Sequence, residues 1–386
     1  MYVCLSGSFT NVMAMTLLLP FLPVYVGQLG VESQAAVVQW SGIAYGITFL
    51  GAGLVAPLWG KFADLYGRKL ILVRACLAMA ICTSLIGMSQ NIWQLVALRL
   101  LAGLLGGYAS GAVVLVASQT PRAHSAWALA TLSTGVLAGT LLGPLAGGYL
   151  PGLIGIRQTF FLAGGVIFLA FLATCFLLHE DRSAVRQRRQ SAKAGAWSAI
   201  PDRRPVYAML ATVMMLMLAN MSIEPIITVY VGTLVDASRV VSTAGLVMAA
   251  SALGSILAAR RLGRLADRLG SWKVITICLA AAGLLLVPQA FVTNSTQLLI
   301  LRFLMGMALS GLLPAINATI RHNVPDASVG TILGYATSAQ YAGQVLGPAL
   351  GGFIGGHMGM RPVFLITAAL MLSCAGWNRI VARRGK

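Results

Sequence analysis

The chain has 386 residues, 58% of them hydrophobic and 9% charged, with a mean hydropathy of +0.85. Soluble domains carry about 25% charged residues, so a globular cytosolic protein is excluded. The net charge of +18 would suggest nucleic acid in a soluble protein, but its distribution along this chain excludes that partner as well.

At about 20 apolar residues per crossing, the sequence has room for a dozen spans and short connectors but no soluble domain. Spans are predicted at 3–27, 37–60, 70–89, 92–118, 126–150, 158–178, 206–234, 240–259, 274–292, 297–320, 328–354 and 362–380. The expected fold is all-α, with 12 transmembrane helices. Met1 leads directly into an apolar stretch with no basic n-region and no small-residue cleavage site, so the start reads as a span. Lys61, Arg68, Lys69, Arg122, the run from Arg182 to Arg204, the cluster from Arg260 to Lys273, Arg321 and the tail from Arg379 to Lys386 fall in alternate connectors. The opposite connectors hold only Arg157, Arg239 and Arg361. The positive-inside rule then puts the first set and both termini in the cytoplasm, beside anionic lipid.

The first span carries Pro20 and Pro23 near its outer end, and Asn11 among its few polar groups. Prolines in membrane helices mark bends or half-unwound segments. Between the second and third spans, the stretch from Gly60 to Lys69 combines glycines that permit a tight turn (Gly60, Gly67) with Asp64, which can accept from helix N-terminal amides or pair with a base. Arg68 and Lys69 complete it, and an ordinary basic connector would look much the same. In the fourth span Arg99 must find acceptors or snorkel to an interface, while Gly103, Gly106 and Gly107 offer small faces for packing. The fifth span holds Gly139, Gly143, Pro144, Gly147 and Gly148. Glycines every fourth residue make a groove for another helix, and the proline frees a carbonyl.

Beyond a basic, Ala/Ser/Pro-rich linker at 179–205, the seventh span contains Glu224, the one carboxylate inside the apolar segments. A charge at mid-bilayer costs roughly 2.5–3.5 kcal/mol, so such an acid usually faces a cavity or a partner and is a natural proton carrier. Three readings stay open: a proton or cation site, a salt bridge or gate with Arg239 or Arg361, or no special role. Asn220 lies one turn earlier on the same face, and Pro225 follows directly. Asn317 in the tenth span and Gln340, Tyr341 and Gln344 in the eleventh are further candidate cavity residues. Gln340 and Gln344 share a face, and either line a cavity or satisfy each other. The histidines fall outside span centres, and the cysteines show no CxxC pair or nearby histidine set. Neither a metal nor a disulfide is expected.

The sequence repeats itself. PFLPVYVGQL at Pro20–Leu29 returns as PIITVYVGTL at Pro225–Leu234, and GKFADLYG at Gly60–Gly67 as GRLADRLG at Gly263–Gly270. NIWQLVALRLLAG at Asn91–Gly103 returns as NSTQLLILRFLMG at Asn294–Gly306, and GTLLGPLAGG at Gly139–Gly148 as GQVLGPALGG at Gly343–Gly352. The offsets run only from 203 to 205 residues, in the same order, which chance does not produce. Each half has an even number of spans, so the halves are parallel repeats: 1–178 and 206–386, joined by the linker. Such pairs hold a site between two bundles that opens alternately to each side. Glu224 breaks the symmetry, because Leu19 stands at its place in the first half.

These motifs resemble the major facilitator superfamily and, within it, the twelve-span drug/proton antiporters, over nearly the whole chain. The resemblance implies two six-helix bundles working as a monomer without a cofactor. It casts Gly60, Asp64, Gly67, Arg68 and Lys69 as a cytoplasmic latch between the halves. Asp267 belongs to a weaker second copy, in which Ser271 and Trp272 replace the two basic residues. It puts Arg99 near the proton path, where its charge tunes a carboxylate, and makes gates of Gly139–Gly148 and of Gly347 and Pro348, at the interface between halves. One departure stands out: many such antiporters carry an acid in the first span, where this chain has only Ser6, Ser8, Thr10, Asn11 and Thr16.

The expected function is proton-coupled export of lipophilic drug-like compounds across a bacterial cytoplasmic membrane. The alternative within transport is a proton-driven importer or uniporter of a small metabolite, although few charged residues line the spans for a polyanion or zwitterion. A membrane enzyme or receptor is disfavoured, since no H-E-x-x-H, GxSxG, phosphate loop or intramembrane Asp pair occurs.

Overall fold

A computed structural model of the chain describes all residues except 121, 181–202 and 385–386. For a few helical residues, Asp64 among them, it describes the backbone only. Most of the linker expected at 179–205 therefore lies outside the described residues. Among those described, the chain is helix and turn without a strand, as an apolar chain must be when no lipid can satisfy its backbone groups.

Eleven helical stretches are long and apolar enough to cross a membrane, beginning with Tyr2–Gln28, Gln34–Ala63, Arg68–Ile86, Ile92–Ala117, Trp127–Ile154 and Ile156–Leu177. After the linker come Arg204–Val231, Ala237–Leu269, Ser271–Gln289, Ser295–Asn323 and Met360–Ala382. Counted in chain order these are the first to tenth and the twelfth spans. The eleventh is the helix Asp326–Met358, whose 33 residues are ample for a crossing. It is missing from the apolar set because Gly, Ser, Thr and Gln crowd it, as suits a helix that packs tightly on others. The protein is thus an all-α, multi-pass membrane protein.

The fold divides into two compact units. One contains Met1–Glu32 and the chain from Ile47 to the linker; the other contains Ser33–Gly46 and the chain after the linker. The first turns of the second span therefore belong with the later half.

Within each unit the repeat is physical as well as textual. Asn91 and Asn294 cap their helices by accepting from the Gln94 and Gln297 amides at 3.0 and 2.9 Å. Tyr25 Oη donates to the Ile86 carbonyl at 2.6 Å, and Tyr230 Oη to the Gln289 carbonyl at 2.8 Å. Gly67 and Gly270 take φ of +96° and +87° in corresponding connectors, where a side chain would be strained. Gly60 and Gly263, by contrast, face open space, so only the second glycine of each motif has a conformational reason.

The glycine ladders of the fifth and eleventh spans are packing surfaces. Each packs on a helix of its own half, and the eleventh-span motif also meets the second span, where a side chain at Gly42 would run into Pro348 and one at Gly352 into Gln39. A side chain at Gly139 would meet Phe9 and Val12, at Gly143 Met13 and Thr16, and at Gly147 the Leu17 backbone. In the later half Gly343 meets Met214, Gly347 Leu218, and Gly351 the Ser222 backbone. Pro144 and Pro348 are buried within continuous helices beside these contacts, and Gly148 is buried too.

Candidate functional site

The prolines break the first and seventh spans in the same way. Tyr2–Leu17 gives way to a 3₁₀ turn at Leu19–Phe21 before the helix resumes, and Arg204–Ile223 to a 3₁₀ turn at Glu224–Ile226. Proline has no amide hydrogen and disturbs the preceding turn, so the ladder is interrupted at both places. Glu224 is the first residue of the second break.

Two neutral donors hold its carboxyl group. Tyr45 Oη donates to Oε2 at 3.0 Å, and Asn220 Nδ2 to Oε1 at 3.3 Å. Asn220 reaches it from one helical turn earlier, as the sequence spacing predicts. Tyr45 arrives from the second span, within Ser33–Gly46 and so in the same unit as Glu224. Small residues bring that segment close. A side chain at Gly42 would meet the Pro348 carbonyl, and one at Gly352 the backbone of Gln39.

Arg302 of the tenth span lies close enough for its charge to act on Glu224. Arg302 is 4% exposed, and its Nε and Nη2 have no hydrogen-bond partner. Those two nitrogens form one edge of the guanidinium, the edge that fits a carboxylate in bidentate fashion. Arg239 and Arg361, considered from the sequence, are both exposed. Arg99, the repeat counterpart of Arg302, is equally buried at 4% exposure but belongs to the other unit.

Other candidate residues are scattered. Asn11 is buried in the first unit, where its Nδ2 donates to the Gly7 carbonyl at 2.8 Å and to Cys76 Sγ at 3.3 Å. Asn317 is exposed, and Gln340 and Tyr341 are partly buried. Gln344 donates to Met217 Sδ at 3.7 Å rather than to Gln340. The side chain of Asp64 lies outside the described residues, and Asp267 is exposed.

A carboxylate from elsewhere in the chain caps the third span. Glu180, just after the sixth span, accepts the backbone amides of Arg68 and Lys69 at 2.7 and 2.8 Å. A carboxylate there satisfies the free N–H groups that open the third span. Arg68 also donates through Nη1 to the Val114 carbonyl at 2.8 Å. Neither Tyr45 nor Glu180 carries a sequence signal for its role, since each acts on residues more than a hundred positions away.

Comparison with known proteins covers the whole arrangement. The family model of the Major Facilitator Superfamily matches twice, at residues 4–241 and 238–384. The multidrug resistance protein MdtG of Salmonella dublin is 41% identical over 381 residues, covering 98% of this chain and 94% of that protein. MdtG of Klebsiella pneumoniae is 40% identical over 379 residues, covering 98% and 92%. Among solved structures, a bacterial homologue of the human lysosomal transporter Spinster superposes with a TM-score of 0.78 at 16% identity, covering 99% of this chain and 96% of that one. The nucleoside transporter NupG superposes with a TM-score of 0.75 at 15% identity, covering 99% of both chains.

Proposed function

Because the chain belongs to the major facilitator superfamily and is a secondary transporter, we propose that it exports lipophilic drug-like compounds in exchange for protons, with Glu224 as the proton carrier. The relatives named for multidrug resistance support the substrate class. The observation that carries the proton role is the setting of Glu224. It is an acid at a helix break, held by two uncharged donors, with a buried arginine edge unoccupied nearby.

That setting suits a carrier that must exist in two protonation states. Tyr45 and Asn220 each use one lone pair of one carboxyl oxygen, which leaves room for a proton. The positive charge of Arg302 compensates the negative charge left when the proton departs, so both states can exist inside the protein. Binding of a cationic or polar group on the substrate then competes with the proton for the same acid. Coupling of this kind needs only that the two states differ in affinity for each ligand. One proton moving down a potential of about 100 mV supplies about 2.3 kcal/mol, or roughly a fifty-fold concentration ratio.

The halves 1–178 and 206–386 act as the two bundles of alternating access, with both termini and the linker on the cytoplasmic side of a bacterial inner membrane. The basic connectors rest on anionic lipid there, and the protein works as a monomer. Gly60, Asp64, Gly67, Arg68, Lys69 and Asp267 form the latch, while Asn11, Asn220, Asn317, Gln340, Tyr341 and Gln344 contribute to substrate contacts.

Glu224→Gln keeps the shape and one of the two acceptor oxygens, replaces the other by a donor, and cannot release a proton. In energised vesicles this variant is expected to lose uphill efflux and to retain downhill exchange of a fluorescent lipophilic substrate. Normal concentrative efflux by Glu224→Gln would remove the acid from the mechanism.

A further inference from the structure

The fourth span is not a continuous helix. It runs as Ile92–Leu105 and Tyr108–Gln119, and between them Gly106 is extended (φ −74°, ψ −154°) and Gly107 left-handed (φ +101°, ψ 21°). Such a break turns carbonyls out of the helical ladder, and each must find a donor or remain unsatisfied in an apolar medium. Two side chains from neighbouring spans supply those donors. Trp59 Nε1 donates to the Leu104 carbonyl at 2.7 Å, and Arg74 Nη2 to the Gly106 carbonyl at 3.2 Å. The two side chains also hold each other, with the Arg74 guanidinium 3.3 Å from the centre of the Trp59 ring.

The other half is a control built into the chain. At the repeat offset of 203 residues, Leu262 and Ile277 stand where Trp59 and Arg74 do. Leu309 and Ser310 stand there for Gly106 and Gly107. Although the tenth span is also divided, into Ser295–Leu309 and Leu312–Asn323, Ser310 (φ −63°, ψ −27°) and Gly311 (φ −85°, ψ −13°) stay close to helical geometry and the Ser310 amide still bonds the Gly306 carbonyl. The open break and the Trp–Arg pair therefore occur together in one half and are absent together from the other.

We propose that the Gly106–Gly107 break is a hinge in the fourth span and that Trp59 and Arg74 are its lock. Tyr108, next to the hinge, is buried and bonds Thr174 Oγ1 at 3.0 Å, so it anchors the pivot. The far end of the half-helix is exposed at Gln119, and its hold on the rest of the unit is through the buried Ala112, Leu115 and Val116 and the Arg68 bond to the Val114 carbonyl. The Trp59–Arg74 hold is of a kind that can let go. Arg74 leaves Nε and Nη1 without partners, so its charge is retained by one hydrogen bond and one ring face instead of a saturated network. When the pair parts, both carbonyls lose their donors, and the half-helix turns about Gly107 to find others. This inference stands apart from substrate and proton, and it survives or fails independently of Glu224.

The test gives the first half the residues of the second. Spin labels at the exposed positions Ile81, on the third span, and Gln119 report the swing in the full chain in lipid nanodiscs. The unsubstituted protein is expected to show one dominant distance. Trp59→Leu combined with Arg74→Ile should add a second distance whose population rises about tenfold or more, the factor expected when buried groups lose their partners. Trp59→Phe, which keeps the ring face but not the donor, and Arg74→Lys, which keeps the charge but not the planar fork, should each give a smaller second population. A single unchanged distance in the double variant overturns the proposal and leaves the pair a packing contact. If the double variant does not fold, unchanged distances in both single variants overturn it equally.

Discussion

Tyr25 and Tyr230 make the same hydrogen bond, Asn91 and Asn294 the same cap, and Gly147 and Gly351 the same close approach to a backbone carbonyl. Set against this, Glu224 has Leu19 as its counterpart and Arg74 has Ile277. The halves share what holds a six-helix unit together, and a buried arginine at Arg99 and Arg302, but differ at Glu224 and Arg74. Duplicated packing with an unduplicated acid is what two bundles of one origin would keep if the scaffold does the moving and one half carries the proton chemistry proposed above.

The comparison is broken most severely at its glycines. Gly147→Leu and Gly351→Leu each push a side chain into a facing backbone, which cannot yield as a flexible side chain would. Overpacking of this kind costs about 1–3 kcal/mol or more. Both variants are expected to lose monodisperse, folded protein in detergent to a similar degree, read by thermal unfolding. A tolerant half would show that the two ladders are not equivalent.

Arginine substitutions sharpen the difference instead. Arg302→Gln removes the charge that acts on Glu224 and is expected to lower energised efflux about tenfold and to move its pH profile, an effect on the scale of a buried charged contact. Arg99→Gln leaves the profile in place. The opposite result would return the coupling role to the fourth span, as the family resemblance has it.

The smallest effect is the most symmetric. Tyr25→Phe and Tyr230→Phe each delete one hydrogen bond to a carbonyl, worth about 1 kcal/mol, and should lower the unfolding temperature by similar amounts without changing transport.

Much of this was legible in the chain. The span positions, the two-fold repeat and the prolines that break the first and seventh spans follow from hydropathy, offset and the missing proline amide. Glu224 stood out because an acid in an apolar segment needs a reason, and Asn220 followed from helical spacing. The other partners were not legible. Tyr45 is 179 positions from the acid it binds, and nothing in IAYGI distinguishes it from an apolar filler. Glu180 read as an acid in a polar gap, yet it caps a helix more than a hundred residues earlier. The glycines of the fourth span read alike, but Gly103 packs on the Thr48 backbone whereas Gly106 and Gly107 break the helix.

By itself the sequence determined the class of the protein, its number of crossings and the one acid that invites a chemical role. These depend on composition and local periodicity, which lipid reads residue by residue. Only the tertiary structure decided which tyrosine holds that acid, which arginine of the later half lies close enough for its charge to act on it, and where the glycine ladders press. Each of those depends on helices far apart in the chain meeting at atomic distance, and a periodic apolar pattern is compatible with many such meetings.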